Sequence, residues 1–163
     1  MQGMTRRERQ VTDPERILQI LDTAKVLHLG LAVDNEPYVV PMNYGFTMGD
    51  GKLTLYLHSA HQGKKLDMMR ANPNVFFEME CSLVPFEGDV ACRYGLAYSC
   101  LMGKGQARKV EDVAEKKLAL VLLMKEQTGK DFSFTDKLTD AVTITRIDVS
   151  EYTAKCRPLP DMR

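Results

Sequence analysis

From Val26 to Leu57 apolar residues recur at every second position, and short turn sequences punctuate them. This one feature limits the chain to a sheet whose neighbouring strands run in opposite directions. Leu27, Leu29, Leu31 and Val33 share one face of a first strand, and Val26, His28, Gly30 and Ala32 share the other. Asp34-Asn35-Glu36-Pro37 is a turn. Tyr38 to Phe46 forms a second strand, broken or bulged at Pro41, which cannot donate a ladder hydrogen bond. Gly49-Asp50-Gly51 is a hairpin turn, and a third strand follows with Leu53, Leu55 and Leu57 inward and Thr54, Tyr56 and His58 on its other face.

The third strand runs out at His58-Ser59, turns through Gly63 and enters a short helix whose first turn carries Lys64 and Lys65. A helix start leaves backbone N–H groups without partners and points the positive end of the helix dipole outward. With a serine hydroxyl and two ammonium groups beside it, such a start suits a phosphate monoester. The same sequence also suits a plain solvated turn. It is not a nucleoside-triphosphate loop, because the G-x-x-x-x-G-K-[ST] spacing is absent.

Asn72-Pro73-Asn74 ends that helix, and Val75 to Cys81 is a fourth strand, with Phe76 and Phe77 on opposite faces, which suggests apolar cover from a second subunit. Ser82 to Asp89 reads as a loop. Val90 to Val110 is β-rich and bent at Gly95, Gly103 and Gly105. Thr12 or Asp13 caps a first helix that buries Ile17, Leu18, Ile20, Leu21 and Ala24 and ends near Lys25. Glu111 to Thr128 is the clearest helix, with an apolar stripe of Val113, Leu118, Val121, Leu122 and Met124 and a stop at Gly129. Ala141 to Val149 is a closing strand; the polar tail beyond Tyr152 is assigned no fold. The sum is about six strands and three helices, which points to a closed antiparallel barrel with helices outside it.

At 163 residues, one domain spanning 6–152 is expected, with terminal segments 1–5 and 153–163. Met1 to Met4 is set aside as an expression scar or alternative start. Lysine plus arginine equals aspartate plus glutamate, 22 against 22, so the overall field selects neither nucleic acid nor an anionic membrane. No apolar run is long enough to span a bilayer or to resemble a signal peptide, so a cytoplasmic location is expected. Cys81, Cys92, Cys100 and Cys156 lack C-x-x-C spacing and read as reduced and structural.

Three stretches in order, Leu29-Gly30-Leu31, Pro37-Tyr38-Val39-Val40-Pro41-Met42-Asn43-Tyr44, and Leu57-His58-Ser59-Ala60 with Gly63-Lys64-Lys65, resemble the split-barrel flavin-binding proteins related to pyridoxamine 5′-phosphate oxidase. The branch most similar is the nitroimidazole-resistance type. The resemblance implies a mainly β fold, a six-stranded antiparallel split barrel with flanking helices, an FMN cofactor, and a homodimer with flavin at the subunit interface. It implies that Lys64, Lys65 and Ser59 hold the FMN phosphate. Val40, Pro41, Met42 and Asn43 would border the ring with Tyr44 nearby, His58 and Ala60 would lie along the ribityl chain or ring edge, and Ser99 would contribute from the long segment. The family's oxidases proper grip substrate with a tryptophan-arginine motif, and this chain has no tryptophan, which disfavours vitamin B6 oxidation.

The activity expected is reduction of small electron-poor molecules, nitroimidazole-like compounds among them, with a nicotinamide or another cellular reductant as donor. His58 is the catalytic candidate, because an ordinary imidazole titrates near neutrality; a hydrogen bond to the ribityl chain is its plainer role. Tyr98 and Arg93 are acceptor-side candidates. The alternative class is a protein that holds FMN or haem without turnover, with His28, His58 or His61 as an iron ligand. His58-x-x-His61 also has metal-ligand spacing but lacks a third clustered group.

Overall fold

The computed structural model describes residues 5–160, so the reading of Met1 to Met4 lies outside the described residues. In chain order the main elements are β1 (Gln10–Val11), α1 (Pro14–Thr23), β2 (Leu27–Val33), β3 (Glu36–Met42), β4 (Gly45–Gly49), β5 (Lys52–Ser59), α2 (Lys64–Ala71), β6 (Asn74–Phe86), β7 (Gly95–Lys109), α3 (Val113–Thr128), α4 (Asp136–Thr139) and β8 (Thr143–Arg157).

They form one antiparallel sheet in the order β3-β2-β6-β7-β8-β5-β4, with β1 on the far part of β8. Its two ends, β3 and β4, are successive in the chain yet do not pair, so the barrel is split, as the family resemblance implies, and not closed as the strand pattern alone suggests. The reason is local: Asn43 and Tyr44 leave the strand and carry the chain from one edge of the sheet to the other. The break therefore falls there and not at Pro41, which continues in β3 opposite His28. Pro37 and Pro41 are tolerated because β3 is an edge strand.

Both hairpin turns are two-residue loops with left-handed backbone at each position, Asp34 (φ 52°) with Asn35 (φ 65°) and Asp50 (φ 50°) with Gly51 (φ 73°), the geometry that matches strand twist. The leucines of β2 and β5, with Phe77, Met79, Leu101 and Ile147, fill the barrel interior, and Ile17, Ile20 and Leu21 of α1 pack into the same core. A second cluster, Tyr56, Val110, Ala119, Leu120 and Ile144, lies under α3.

Four further expectations are corrected. The supposed loop from Ser82 continues β6 to Phe86 after a bulge between Cys81 and Val84, with Ser82 at φ 56°. The tail beyond Tyr152 stays in β8 as far as Arg157, which pairs with Tyr98. Asp13, not Thr12, caps α1 by accepting from the Glu15 N–H at 3.3 Å. On α3 the buried side chains are Ala119, Leu120 and Leu123, while Val113 and Leu118 face outward. Gly129, in the left-handed conformation, ends α3 as its sequence requires.

Candidate functional site

β5 delivers His58 and Ser59 to the end of the sheet, and the chain turns through 60–63 into α2. Gly63 adopts φ 142°, ψ 159°, a conformation L side chains rarely take, although a side chain would meet nothing there. No side chain caps α2. The Leu66 and Asp67 N–H groups return to the Gly63 carbonyl at 2.9 and 3.2 Å, while the Lys64 and Lys65 N–H groups, in the first turn, point out of the helix.

The two lysines take different positions. The Lys64 ammonium stands 4.9 Å from the ring centroid of Tyr38 on β3, a cation–π distance. That contact brings the start of α2 beside β3, the strand that carries Val40, Pro41 and Met42. Lys65 is half-buried next to His58. Burial, and secondarily the Lys65 charge, holds the His58 imidazole below its ordinary pKa, so at neutral pH it is an uncharged donor and acceptor. The Ser59 hydroxyl donates to the Ala60 carbonyl at 3.0 Å and keeps its lone pairs.

The resulting site is a strip. One side is β3, which pairs only with β2 among the described residues; the other is the β5–α2 corner with His58, Ser59, Ala60, Lys64 and Lys65. Pro41 is exposed on the outer face of β3, while Val40 is half-buried and Met42 buried toward the core. A donor-rich helix start beside an unpaired strand edge can hold a ligand with an anionic tail and a flat body.

Three of the expected residues are committed elsewhere. Tyr44 is fully buried, and its hydroxyl lies 2.7 Å from both the Leu21 and Ala24 carbonyls at the end of α1; burial pushes its pKa far up. Ser99 lies seven residues along β7 from Gln106, which pairs with Asn74 just past α2, a span of roughly 23 Å. It lines a separate cavity of about 200 Å³ with Arg16, Cys81, Ser82 and Cys156. Asn43 donates at 2.9 Å to the Lys25 carbonyl and to Gln127 Oε1, joining α1 to α3.

Of the acceptor-side candidates, Tyr98 is half-buried on β7 and Arg93 is paired with Asp89 at 3.0 Å. His61 Nδ1 lies 3.1 Å from Thr143 Oγ1, at the rim of a cavity of about 350 Å³ that Leu66, Met69, Arg70 and Arg108 help to line. None of the expected cofactor residues lines that cavity. His58 and His61 belong to no three-ligand cluster among the described residues. Tyr38 was missed as the neighbour of Lys64. Its parity with Val40 and Met42 was readable, but not the helix that would settle against it.

This architecture defines a class: an antiparallel split barrel with an uncapped, dibasic helix start beside an open strand edge. The chain matches the family description of pyridoxamine 5′-phosphate oxidase over residues 13–156. The chain belongs to the pyridoxamine 5′-phosphate oxidase-like split-barrel family. A candidate 5-nitroimidazole antibiotic resistance protein from Bacteroides thetaiotaomicron is 31% identical, with 90% of this chain and 86% of that one covered and a TM-score of 0.76; its name carries the branch that the sequence motifs resemble. The flavocytochrome Anf3 from Azotobacter vinelandii is 17% identical (99% and 75% covered, TM-score 0.77). A protein from Mycobacterium smegmatis described as binding FAD and haem is 18% identical (95% and 77% covered, TM-score 0.77). These last two share the fold alone with this chain. No curated protein matches it. No helix among the described residues is long and apolar enough to cross a membrane.

Proposed function

We propose that this chain is an FMN-binding flavoprotein, assembled as a homodimer, that reduces small electron-poor molecules, nitroimidazole-like compounds among them, with electrons from a nicotinamide. One observation carries the reading: the α2 start, uncapped and bearing Lys64 and Lys65, stands beside the free edge of β3. A phosphate monoester fits a helix start of this kind through backbone N–H groups and charge-assisted bonds. FMN is preferred over a dinucleotide because the motifs around Pro41 and Lys64-Lys65 resemble those of the FMN-binding split barrels.

Bound FMN would supply the hydride and electron transfer. Lys64 and Lys65 would fix the phosphate, with the Ser59 hydroxyl donating to it after rotating away from the Ala60 carbonyl. Val40 and Pro41 would flank the ring on β3, with Met42 and Asn43 supplying backbone. Tyr44 and Asn43 contribute indirectly, by fixing the β3–β4 link against α1 and α3. His58 stays neutral at pH 7 and holds a proton on one ring nitrogen next to the cofactor strip, which suits hydrogen bonding to the ligand better than charge pairing.

The test has two stages. Titrating the flavin-free protein with FMN should quench flavin fluorescence at one equivalent per chain. Anaerobic addition of reduced nicotinamide should then bleach the flavin, and a nitroaromatic should restore its colour. Failure at the first stage rejects the cofactor; bleaching that never occurs, or is never reversed, leaves a binding protein and rejects the reductase.

A further inference from the structure

We infer that His28, Glu78 and Glu80 form a three-ligand site for a divalent transition-metal ion of the zinc class on the outer face of the sheet. Nothing in the flavin reading requires this site, and it stands on separate observations.

The three side chains sit on paired strands. His28 of β2 is the direct partner of Glu78 on β6, and Glu80, two residues further along, shares the same face. One ligand atom from each lies within 4.8 Å of the others. His28 Nδ1 is 3.4 Å from Glu78 Oε2 and 3.6 Å from Glu80 Oε2. Both separations exceed an ordinary N–H···O bond of about 2.9–3.0 Å. Both match the edge of a coordination tetrahedron, about 3.4 Å for metal–ligand bonds of about 2.1 Å.

A second, independent feature is an orphan. Glu80 Oε2 is sealed from solvent and has no hydrogen-bond partner. A single imidazole N–H cannot serve two ionised carboxylates, so with both charged one oxygen lacks a donor unless a further proton or a cation joins the group.

The donor set selects the metal. One imidazole and two carboxylates suit zinc and its first-row neighbours. Calcium and magnesium call for six or more oxygen ligands, of which the protein supplies too few here. Three protein ligands leave a further position for water or an exogenous donor, and the backbone pairing of β2 with β6 holds the histidine and the carboxylates in register.

The experiment uses the full chain, stripped with chelator and prepared both flavin-free and flavin-loaded. Cobalt(II) should bind at one equivalent per chain with visible bands of tetrahedral intensity and no thiolate charge-transfer band, and zinc should displace it. H28Q and E80Q should each weaken zinc binding, read by calorimetry, at least about tenfold, with circular dichroism and FMN affinity unchanged. No visible band and no heat at millimolar metal would overturn the inference and favour a proton shared among the three groups. Binding unaffected by H28Q and E80Q, or a thiolate band, would overturn it in favour of the cysteines. Either failure leaves the FMN titration as it was.

Discussion

Lys64 and Lys65 are neighbours in sequence, but one lies over an aromatic ring and the other beside a half-buried imidazole, so they should not be interchangeable. Replacing either with alanine removes a charge-assisted phosphate contact worth roughly 1.5–3 kcal/mol, and FMN should bind about tenfold to a hundredfold more weakly. Fluorescence titration checks this, and unchanged affinity in both variants removes the lysines from the site. Glu78 gives a prediction of opposite character. Its carboxyl is raised from an ordinary 4.5 to about 7 in the fold, so the folded state holds its proton longer than the unfolded chain does. The associated stability is complete below the ordinary value and is lost as pH rises through about 7. Metal-free E78Q should therefore gain thermal midpoint relative to the parent protein between about pH 5 and about pH 8; calorimetry showing parallel pH profiles would refute it. At this scale the sequence was only partly readable. Alternation placed His28 on one face of its strand with Val26, Gly30 and Ala32, but nothing in the sequence brought Glu78 and Glu80 beside it. Likewise the motif around Asn43 and Tyr44 was visible while their partners, carbonyls from Leu21 to Lys25 and the Gln127 side chain on α3, were not. Periodicity reports a face; it does not report what a fold brings against that face.

Among the elements, α3 is seated by a glycine. A β-carbon at Gly45 would lie 2.5 Å from the Leu123 nitrogen and 2.7 Å from the Leu122 carbonyl carbon, so β4 and α3 touch backbone to backbone. Gly45→Ala should push α3 away and cost about 1–3 kcal/mol by the usual penalty of overpacking, measured as a fall in the urea midpoint at constant slope. An unaltered midpoint would mean that α3 shifts freely. Lys25 reinforces the same junction, with its ammonium 2.7 Å from both the Glu126 carbonyl and Glu126 Oε1. The hairpins, the first helix and the Gly129 stop could be read from sequence because turn chemistry and capping are local. The far ends of β6 and β8 could not. Their side chains alternate poorly because much of that backbone lies near the surface, and it is held by ladder bonds with β7 that no side-chain pattern reports. The α3 stripe misled for a related reason: the helix is apolar on several sides, and only the position of β4 and β5 decides which side is covered.

For the whole molecule, the outer surface of the sheet is the part left unfinished. Val39 and Phe76, 63% and 48% exposed, flank Gly30 in register across β3, β2 and β6, and Leu83, Val84 and Leu96 extend the apolar surface along the β6–β7 arm. Phe77, by contrast, is wholly covered by this one chain. Light scattering should give twice the 18.4 kDa chain mass, and Phe76→Glu should shift it toward one chain and weaken FMN binding with it. A parent protein that elutes at the mass of one chain excludes the homodimer.

The prolines of β3 have a consequence for colloidal behaviour. Pro37 and Pro41 occupy alternate positions of the edge strand, the same parity as Val39, so along this stretch the rim that could recruit another extended peptide keeps one amide proton donor, that of Val39, among acceptors. A rim so depleted is a poor template for fibril growth. The opening that admits a small molecule is thereby kept from propagating into cross-β stacks.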